Sequence, residues 1–350
     1  MTSTSEVRVG LIGYGFSGAT FQAPLIRTVK GMRLAMVNSS KPELVRRDYP
    51  GMQVVAEPQA LIESPEVDLV VVASTNTTHY PLARQALLAG KHVVVEKPFT
   101  VTVEEAAELV DLAERNKLVL SVFHNRRWDN DFLTLRRTLE SGLLGEVLTF
   151  ESHFDRYRPA VRQRWREQDL PGSGMLYDLG SHLIDQALAL FGNPDSVQCD
   201  MGIQREHGMA DDYVHLVLRY GARRVILHSS MMAHRPGPRF LVHGELGTFT
   251  KFGLDPQESQ LLQGMDPASA GWGVEDPARH GTLGFTKGGL TFSGTVESVP
   301  GAYQAYYEGI VGAVTQGKPA PVTGRDGLAV IRVIQLALRS AQEQRVVVFE

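Results

Sequence analysis

Short apolar runs alternate with amphipathic stretches through the first third of the chain. Val7-Arg-Val-Gly-Leu-Ile12 is β-branched and aliphatic and ends at a glycine, which predicts a buried strand. Further strands are predicted at 33–37, 67–73, 92–95 and 118–123, with helices at 81–89 and 103–116 between them. Thr102, followed three residues later by Glu105, gives the last helix a capping box. Continuous Val and Leu runs suit strands covered on both faces, so residues 1–123 are expected to form a doubly wound parallel α/β domain.

The pattern changes near 122–125, and residues 124–350 are expected to form a second, α+β domain. A helix is predicted at 130–141 and a long strand at 147–157, with Phe150 and Phe154 on one face. Glu151, His153, Asp155 and Tyr157 alternate on the other face. Such a set is either a solvated face or a group of hydroxyl-binding side chains for a sugar-like ligand. After a helix closed by Gly192, residues 213–220 and 225–231 read as a hairpin around Gly221-Ala222, and 240–242 and 248–252 as further strands. The result is an open, mostly antiparallel sheet with helices on one face. His215, Val217, Arg219, Met231 and Met232 are placed on its open face, where a homo-oligomer, dimer or tetramer, would form. Residues 253–300, rich in Gly, Pro and Ser, read as an extended excursion reaching towards a neighbouring subunit. Helices at 303–316 and 326–342 and a strand at 346–349 close the fold.

Composition narrows the function classes. The 350 residues carry a net charge of −4, with no clustering of basic residues that would indicate a nucleic-acid or anionic-membrane partner. No apolar run approaches the roughly 20 residues needed to cross a bilayer. The polar Met1-Thr-Ser-Thr-Ser-Glu6 lacks the features of a signal peptide, so a cytoplasmic protein is expected. The single cysteine, Cys199, excludes an internal disulfide and a cysteine-rich metal site.

The candidate chemistry begins at Gly13-Tyr14-Gly15-Phe16-Ser17-Gly18, a GxGxxG between a predicted strand and helix. Gly13 permits the tight turn, Gly15 the approach of a pyrophosphate, and Gly18 the packing of helix on strand. The second strand ends at Asn38-Ser39-Ser40-Lys41, with Arg46 and Arg47 nearby. No carboxylate stands there to bind the ribose hydroxyls of NAD, whereas hydroxyls and a cation suit the 2′-phosphate of NADP. NADP is therefore the favoured cofactor, with NAD use left open. Thr75, Asn76 and His79 follow a strand end and are either contacts to the ribose or nicotinamide or ordinary turn residues. Glu96-Lys97-Pro98 follows another, where Lys97 would face the nicotinamide and polarise a substrate oxygen. Pro98 disfavours a helical backbone at Lys97 and so aims its side chain.

In Tyr177-Asp-Leu-Gly-Ser-His182-Leu-Ile-Asp185, Asp178 and His182 are four apart and share a helical face. An Asp beside a His can fix its tautomer and raise its basicity, which makes a proton-abstracting base. The alternative is a buried turn whose histidine donates to the backbone. No third ligand accompanies the pair, and with Lys97 as cation no catalytic metal is required. Between strand and helix runs a loop, 158–174, with Arg162, Arg164, Trp165 and Arg166. A loop of that length is expected to be functional or disordered, and its tryptophan argues against disorder.

Together, GYGFSG, EKP at 96–98 and YDLGSHLID at 177–185 resemble the glucose–fructose oxidoreductase/inositol dehydrogenase (Gfo/Idh/MocA) family. The runs 123–129, 156–159 and 164–166 make the chain similar to that family's NADP-dependent scyllo-inositol dehydrogenase subgroup. The resemblance implies a Rossmann domain followed by an α+β domain, with Lys97, Asp178 and His182 as the catalytic set. It extends the cofactor contacts to Glu96 and to Trp165, which would cover the nicotinamide or shield the substrate. Asn125, Arg127 and Tyr157 join Lys97, Asp178 and His182 as candidate substrate contacts. The implied reaction is hydride transfer between NADP and a secondary alcohol of a cyclic polyol or sugar, with scyllo-inositol and scyllo-inosose as the expected pair. Another sugar dehydrogenase or reductase, or a non-catalytic sugar or NADP sensor, are the alternatives.

Overall fold

The computed structural model describes residues 6–349; the polar lead read as lacking a signal lies mostly outside them. Two compact units are present. Among the described residues, the first comprises 6–125, 257–272 and 302–328, and the second 126–256, 273–301 and 329–349. The units are thus not the two contiguous blocks that a single cut after residue 123 would make.

In the first unit, β1 (Val7–Ile12), β2 (Met32–Asn38), β3 (Gln53–Val55), β4 (Leu69–Val72), β5 (His92–Val95) and β6 (Leu120–Val122) form one sheet. All pairs are parallel, in the order β3-β2-β1-β4-β5-β6. This is the doubly wound order whose reversal, between β1 and β4, opens a crevice at the strands' C-terminal ends. Val70, Val71, Val93 and Val94 are fully buried, as expected of strands covered on both faces. The helix Val103–Arg115 begins with the expected box: Thr102 Oγ1 accepts from the Glu105 amide at 3.2 Å, and Glu105 accepts from the Thr102 amide at 3.1 Å. The pattern reading missed β3 and the short helices Pro42–Asp48 and Pro58–Ile62, whose few residues carry little periodicity.

The second unit holds a nine-stranded sheet of β7 (Val147–His153), β8 (Ser196–Gly202), β9 (Tyr213–Tyr220), β10 (Arg223–Ser230), β11 (Phe240–Gly244), β12 (Gly247–Lys251), β13 (Gly281–Lys287), β14 (Leu290–Val296) and β15 (Val347–Val348). Its order is β14-β13-β12-β11-β7-β10-β9-β8-β15, antiparallel except for β7 with β10. Phe150, Val225, Leu216 and Phe240 are buried on one face, where Phe132 and Phe191 of the helices Asn130–Glu140 and Ser181–Phe191 meet Phe240 and Phe150. The alternate positions, including His215, Val217 and Arg219, are half-buried, while Met231 is buried and Met232 exposed. β7 is shorter than expected, with Tyr157 joined to Met232 only by an isolated bridge.

Residues 253–300, expected as an extended excursion, carry regular elements. They contain the helix Gln257–Leu262 and the β13–β14 hairpin, which turns at Gly288-Gly289, both with positive φ. β14 is exposed at all positions but Val296, and its alternation of Leu290, Phe292 and Val296 with Thr291, Ser293 and Thr295 was passed over among the surrounding glycines. β8 was also missed. No helix among the described residues is long and apolar enough to cross a membrane.

Candidate active site

The glycine loop leaves β1 at Gly13, whose φ of 94° would be strained for any residue with a Cβ. A Cβ there would also press on the Ala73 carbonyl at the end of β4, and one at Gly18 would collide with the Gly13 carbonyl oxygen. Gly15 differs: nothing lies within 4 Å of where its Cβ would be. Two glycines let the backbone close on itself, and the third leaves exposed backbone approachable. That is the cradle a pyrophosphate requires, so these residues fit a dinucleotide. The helix after the loop opens with a π-helical turn, Gly18–Gln22.

The loop is tied to the end of β5 by a buried carboxylate. Glu96 accepts from Ser17 Oγ, from Gln22 Nε2 at 2.6 Å and, through its other oxygen, from the Lys97 amide at 3.0 Å. Tyr307 in turn donates to Gln22 Oε1. Glu96 therefore acts as a brace between the glycine loop and the Lys97–Pro98 turn. Gln22 and Tyr307 were not anticipated; Gln22 lies four residues beyond the motif, but nothing local marks it as buried.

His79 is buried too, with Nδ1 2.8 Å from the Pro98 carbonyl and Nε2 3.3 Å from that of Ser74. Burial lowers its pKa below the ordinary histidine value, and a neutral ring donates to one of these carbonyls, the Pro98 contact after β5 being the shorter. Asn76 is buried and accepts from the Thr77 amide, while Thr75 is exposed. At the end of β2, Asn38 donates to the Val55 and Ala56 carbonyls. Ser39 is buried and accepts from the Lys41 amide at 3.0 Å. Ser40 and Lys41 are exposed, as is Phe16, whereas Tyr14 donates to Asp48 at 2.8 Å. Asn125 is buried in the short turn after β6.

In the second unit, Tyr177, Asp178 and Leu179 lie in a π-helical turn, Leu176–Gly180, that runs into the helix Ser181–Phe191. The expected regular helix start is thus a wider turn, a form common at functional sites. Asp178 is half-buried and lies 3.6 Å from Arg166 Nε; His182 is buried. The Arg166 guanidinium also covers the Trp165 ring at 4.9 Å, so the loop's tryptophan, arginine and the Asp178 carboxylate form one chain of contacts.

That loop is ordered by buried ion pairs. Glu167 accepts from the Arg162 amide at 3.0 Å, from Arg164 at 2.7 Å and from Arg205 at 2.8 Å. Arg205 also pairs with Asp212 at 2.8 Å. Burial works against the charged form of Glu167, but these donors outweigh it and hold its pKa below the usual value. Asp211 sits at the start of the π turn, where it accepts from the Leu176 amide at 2.8 Å and packs against Gly174. Burial pushes its carboxyl up to about 6. Arg166, Gly174, Asp178, Arg205 and Asp211 line one small cavity.

Of the remaining candidates, Arg127 makes a two-pronged pair with Asp185, at 2.7 and 3.0 Å, which anchors the Ser181–Phe191 helix. Tyr157 is exposed and packs edge-on against His234. The only cysteine, Cys199, is buried and its thiol is pushed up to about 12, too high for a nucleophile at neutral pH. Sequence reasoning missed Asp211, Arg205 and the role of Glu167, all of which act through partners distant in sequence.

A parallel dinucleotide unit joined to a mixed-sheet unit carrying a carboxylate and an imidazole at a helix start defines a class, the nicotinamide-dependent oxidoreductases. Residues 7–124 match the family model described as "Oxidoreductase family, NAD-binding Rossmann fold", and residues 136–349 match "Oxidoreductase family, C-terminal alpha/beta domain". The chain belongs to the Gfo/Idh/MocA oxidoreductase family. It is 48% identical over 341 residues to YdgJ, an uncharacterized oxidoreductase of Escherichia coli (strain K12), covering 97% of this chain and 98% of that one. It is 40% identical over 344 residues to IolW of Bacillus subtilis (strain 168), a scyllo-inositol 2-dehydrogenase (NADP(+)), covering 98% and 96%. The solved structure of yvaA from Bacillus subtilis superposes over 100% of both chains, with a TM-score of 0.97 at 39% identity.

Proposed function

We propose that this oxidoreductase catalyses reversible hydride transfer between NADP and a secondary alcohol of a cyclic polyol, with scyllo-inositol and scyllo-inosose as the substrate pair. The observation that carries this reading is 40% identity, across nearly the whole of both chains, to a protein named for that reaction and that cofactor. The chemistry at the end of β2 supports the nucleotide: exposed Ser40 and Lys41 offer a hydroxyl and a cation for a 2′-phosphate, and none of residues 38–41 is a carboxylate.

Bound on the glycine loop, the nicotinamide supplies a two-electron acceptor at its C4. The protein's task is to manage the proton and the developing charge. In the oxidative direction an imidazole nitrogen of His182 takes the hydroxyl proton as the carbon-bound hydrogen leaves with its electron pair. Asp178 stabilises the resulting imidazolium, and Arg166 lies 3.6 Å from the Asp178 carboxylate. Lys97 donates to the oxygen as alkoxide character grows, with its backbone fixed by Glu96. Exposed Ser40 and Lys41 hold the 2′-phosphate, and Trp165, kept in place by Arg166, shields the reacting carbon from water.

The test is a screen of inositol isomers and aldoses with NADP and with NAD, following nicotinamide absorbance. Turnover of scyllo-inositol with NADP supports the reading, whereas strict use of NAD, or of aldoses alone, removes it. Ser39→Asp should lower kcat/KM for NADP by about tenfold or more while sparing NAD, because a carboxylate beside a phosphate costs at least the roughly 1.4 kcal/mol that corresponds to tenfold.

A further inference from the structure

Three adjacent strands of the nine-stranded sheet line up a row of histidines. The register sets His228 of β10 opposite His215 of β9 on one side and His153 of β7 on the other. Ring centres are 5.6 Å apart for His215–His228 and 5.3 Å for His153–His228. Asp155, two residues beyond His153, reaches both of the last pair: Oδ2 lies 3.6 Å from His153 Nδ1, and Oδ1 lies 3.6 Å from His228 Nε2.

This is not a solvated strand face. The side chains of His153 and His228 are 19% exposed and that of Asp155 6%. One nitrogen of His228, Nδ1, is buried without a hydrogen-bond partner among the described residues, an orphan that a closed network of structural histidines would not leave. Glu151 lies 3.3 Å from the other nitrogen of His153, placed as the carboxylates that orient metal-binding imidazoles usually are.

We propose that His153, Asp155 and His228 form a binding site for a divalent transition-metal cation of the zinc type, completed by water. One ligand atom from each residue lies within 4.8 Å of the other two. Two imidazoles and one carboxylate suit zinc and its neighbours in the first transition row, whereas magnesium and calcium prefer an all-oxygen set. The ligands come from the ends of β7 and β10, so an ion there would clamp the parallel pair of an otherwise antiparallel sheet. The site is built from residues other than Lys97, Asp178 and His182 and stands whether or not the proposed reaction is correct.

The experiment uses the untagged full chain, stripped with chelator and dialysed against zinc, with bound metal counted by mass spectrometry. One zinc per chain is expected. His228→Gln and Asp155→Asn should each weaken binding about 10-fold or more, as loss of a ligand should cost at least what loss of a supporting partner does. His207→Ala, at an exposed loop position, should change nothing. Failure of the wild-type chain to retain zinc, or equal retention by His228→Gln, overturns the proposal. Should the variants misfold, cobalt added to the stripped wild-type chain gives a direct reading. Visible absorption from tetrahedral or five-coordinate nitrogen and oxygen ligation is expected, and the spectrum of hydrated cobalt contradicts it.

Discussion

The glycine loop of the first unit and the Leu176–Gly180 turn of the second prepare for chemistry by opposite means. The loop works through what is missing: without side chains at Gly13 and Gly18 the backbone closes, and without one at Gly15 it stays open. The turn works through what is added, with Glu167, Arg205, Asp212, Asp211 and Arg166 packed around it in a chain of charge pairs and one amide cap. The first arrangement is written in six consecutive residues. The second is assembled from segments near 167, 178, 205 and 211, and is correspondingly more sensitive to the loss of one partner.

The largest effect is expected at Glu167. Glu167→Ala leaves the Arg205 guanidinium, 3% exposed, with Asp212 as its remaining carboxylate partner. Breaking a buried pair in this way typically costs about 3–5 kcal/mol. Urea unfolding should show a loss of that size, and a loss below about 1 kcal/mol would mean the loop is not held by this network.

Gly18→Ala comes next. Its methyl group must displace the Gly13 carbonyl, and a loss of about 2–4 kcal/mol together with loss of cofactor binding is expected. Gly15→Ala is the informative contrast. With open space above it, stability should stay within about 0.5 kcal/mol while affinity for the nucleotide falls. Equal destabilisation by both changes would contradict the division of labour among the glycines.

A smaller, pH-dependent effect is expected at Asp211. Its folded-state pKa of about 6 lies above the roughly 3.9 of an unfolded aspartate. The native state therefore binds the proton more tightly, and the wild type loses stability as pH rises from about 4 through 6. Asp211→Asn keeps an acceptor for the Leu176 amide but cannot ionise. Its advantage over the wild type should be small near pH 4 and reach about 1–3 kcal/mol above pH 6. An advantage independent of pH in urea titrations would show that Asp211 is not the titrating group.

The same contrast explains what could be read from the chain. The parallel sheet was legible because its Val and Leu runs are dictated by burial on both faces, and the glycine motif because its spacing is local. The Asp178–His182 pair was legible as a spacing, but the π-helical turn that carries it was not. Its geometry depends on Asp211 and Arg166, which no window around 177–185 contains. The β13–β14 hairpin escaped for a different reason. Leu290, Phe292 and Val296 do alternate with Thr291, Ser293 and Thr295, but the glycines of this segment made it read as an excursion rather than a strand. Arg127 shows the limit of reading charge as function: its pairing with Asp185 is a helix anchor that the sequence presents as a free cation.

We propose that the turn beside this charge network delivers the base of a polyol dehydrogenase. Steady-state oxidation of scyllo-inositol with NADP by the wild-type chain and by His182→Ala tests it most directly. Loss of a general base should lower kcat by about 10²–10⁴-fold while the nucleotide, measured by fluorescence titration, still binds with wild-type affinity. A His182→Ala protein that turns over scyllo-inositol at an undiminished rate would contradict the claim.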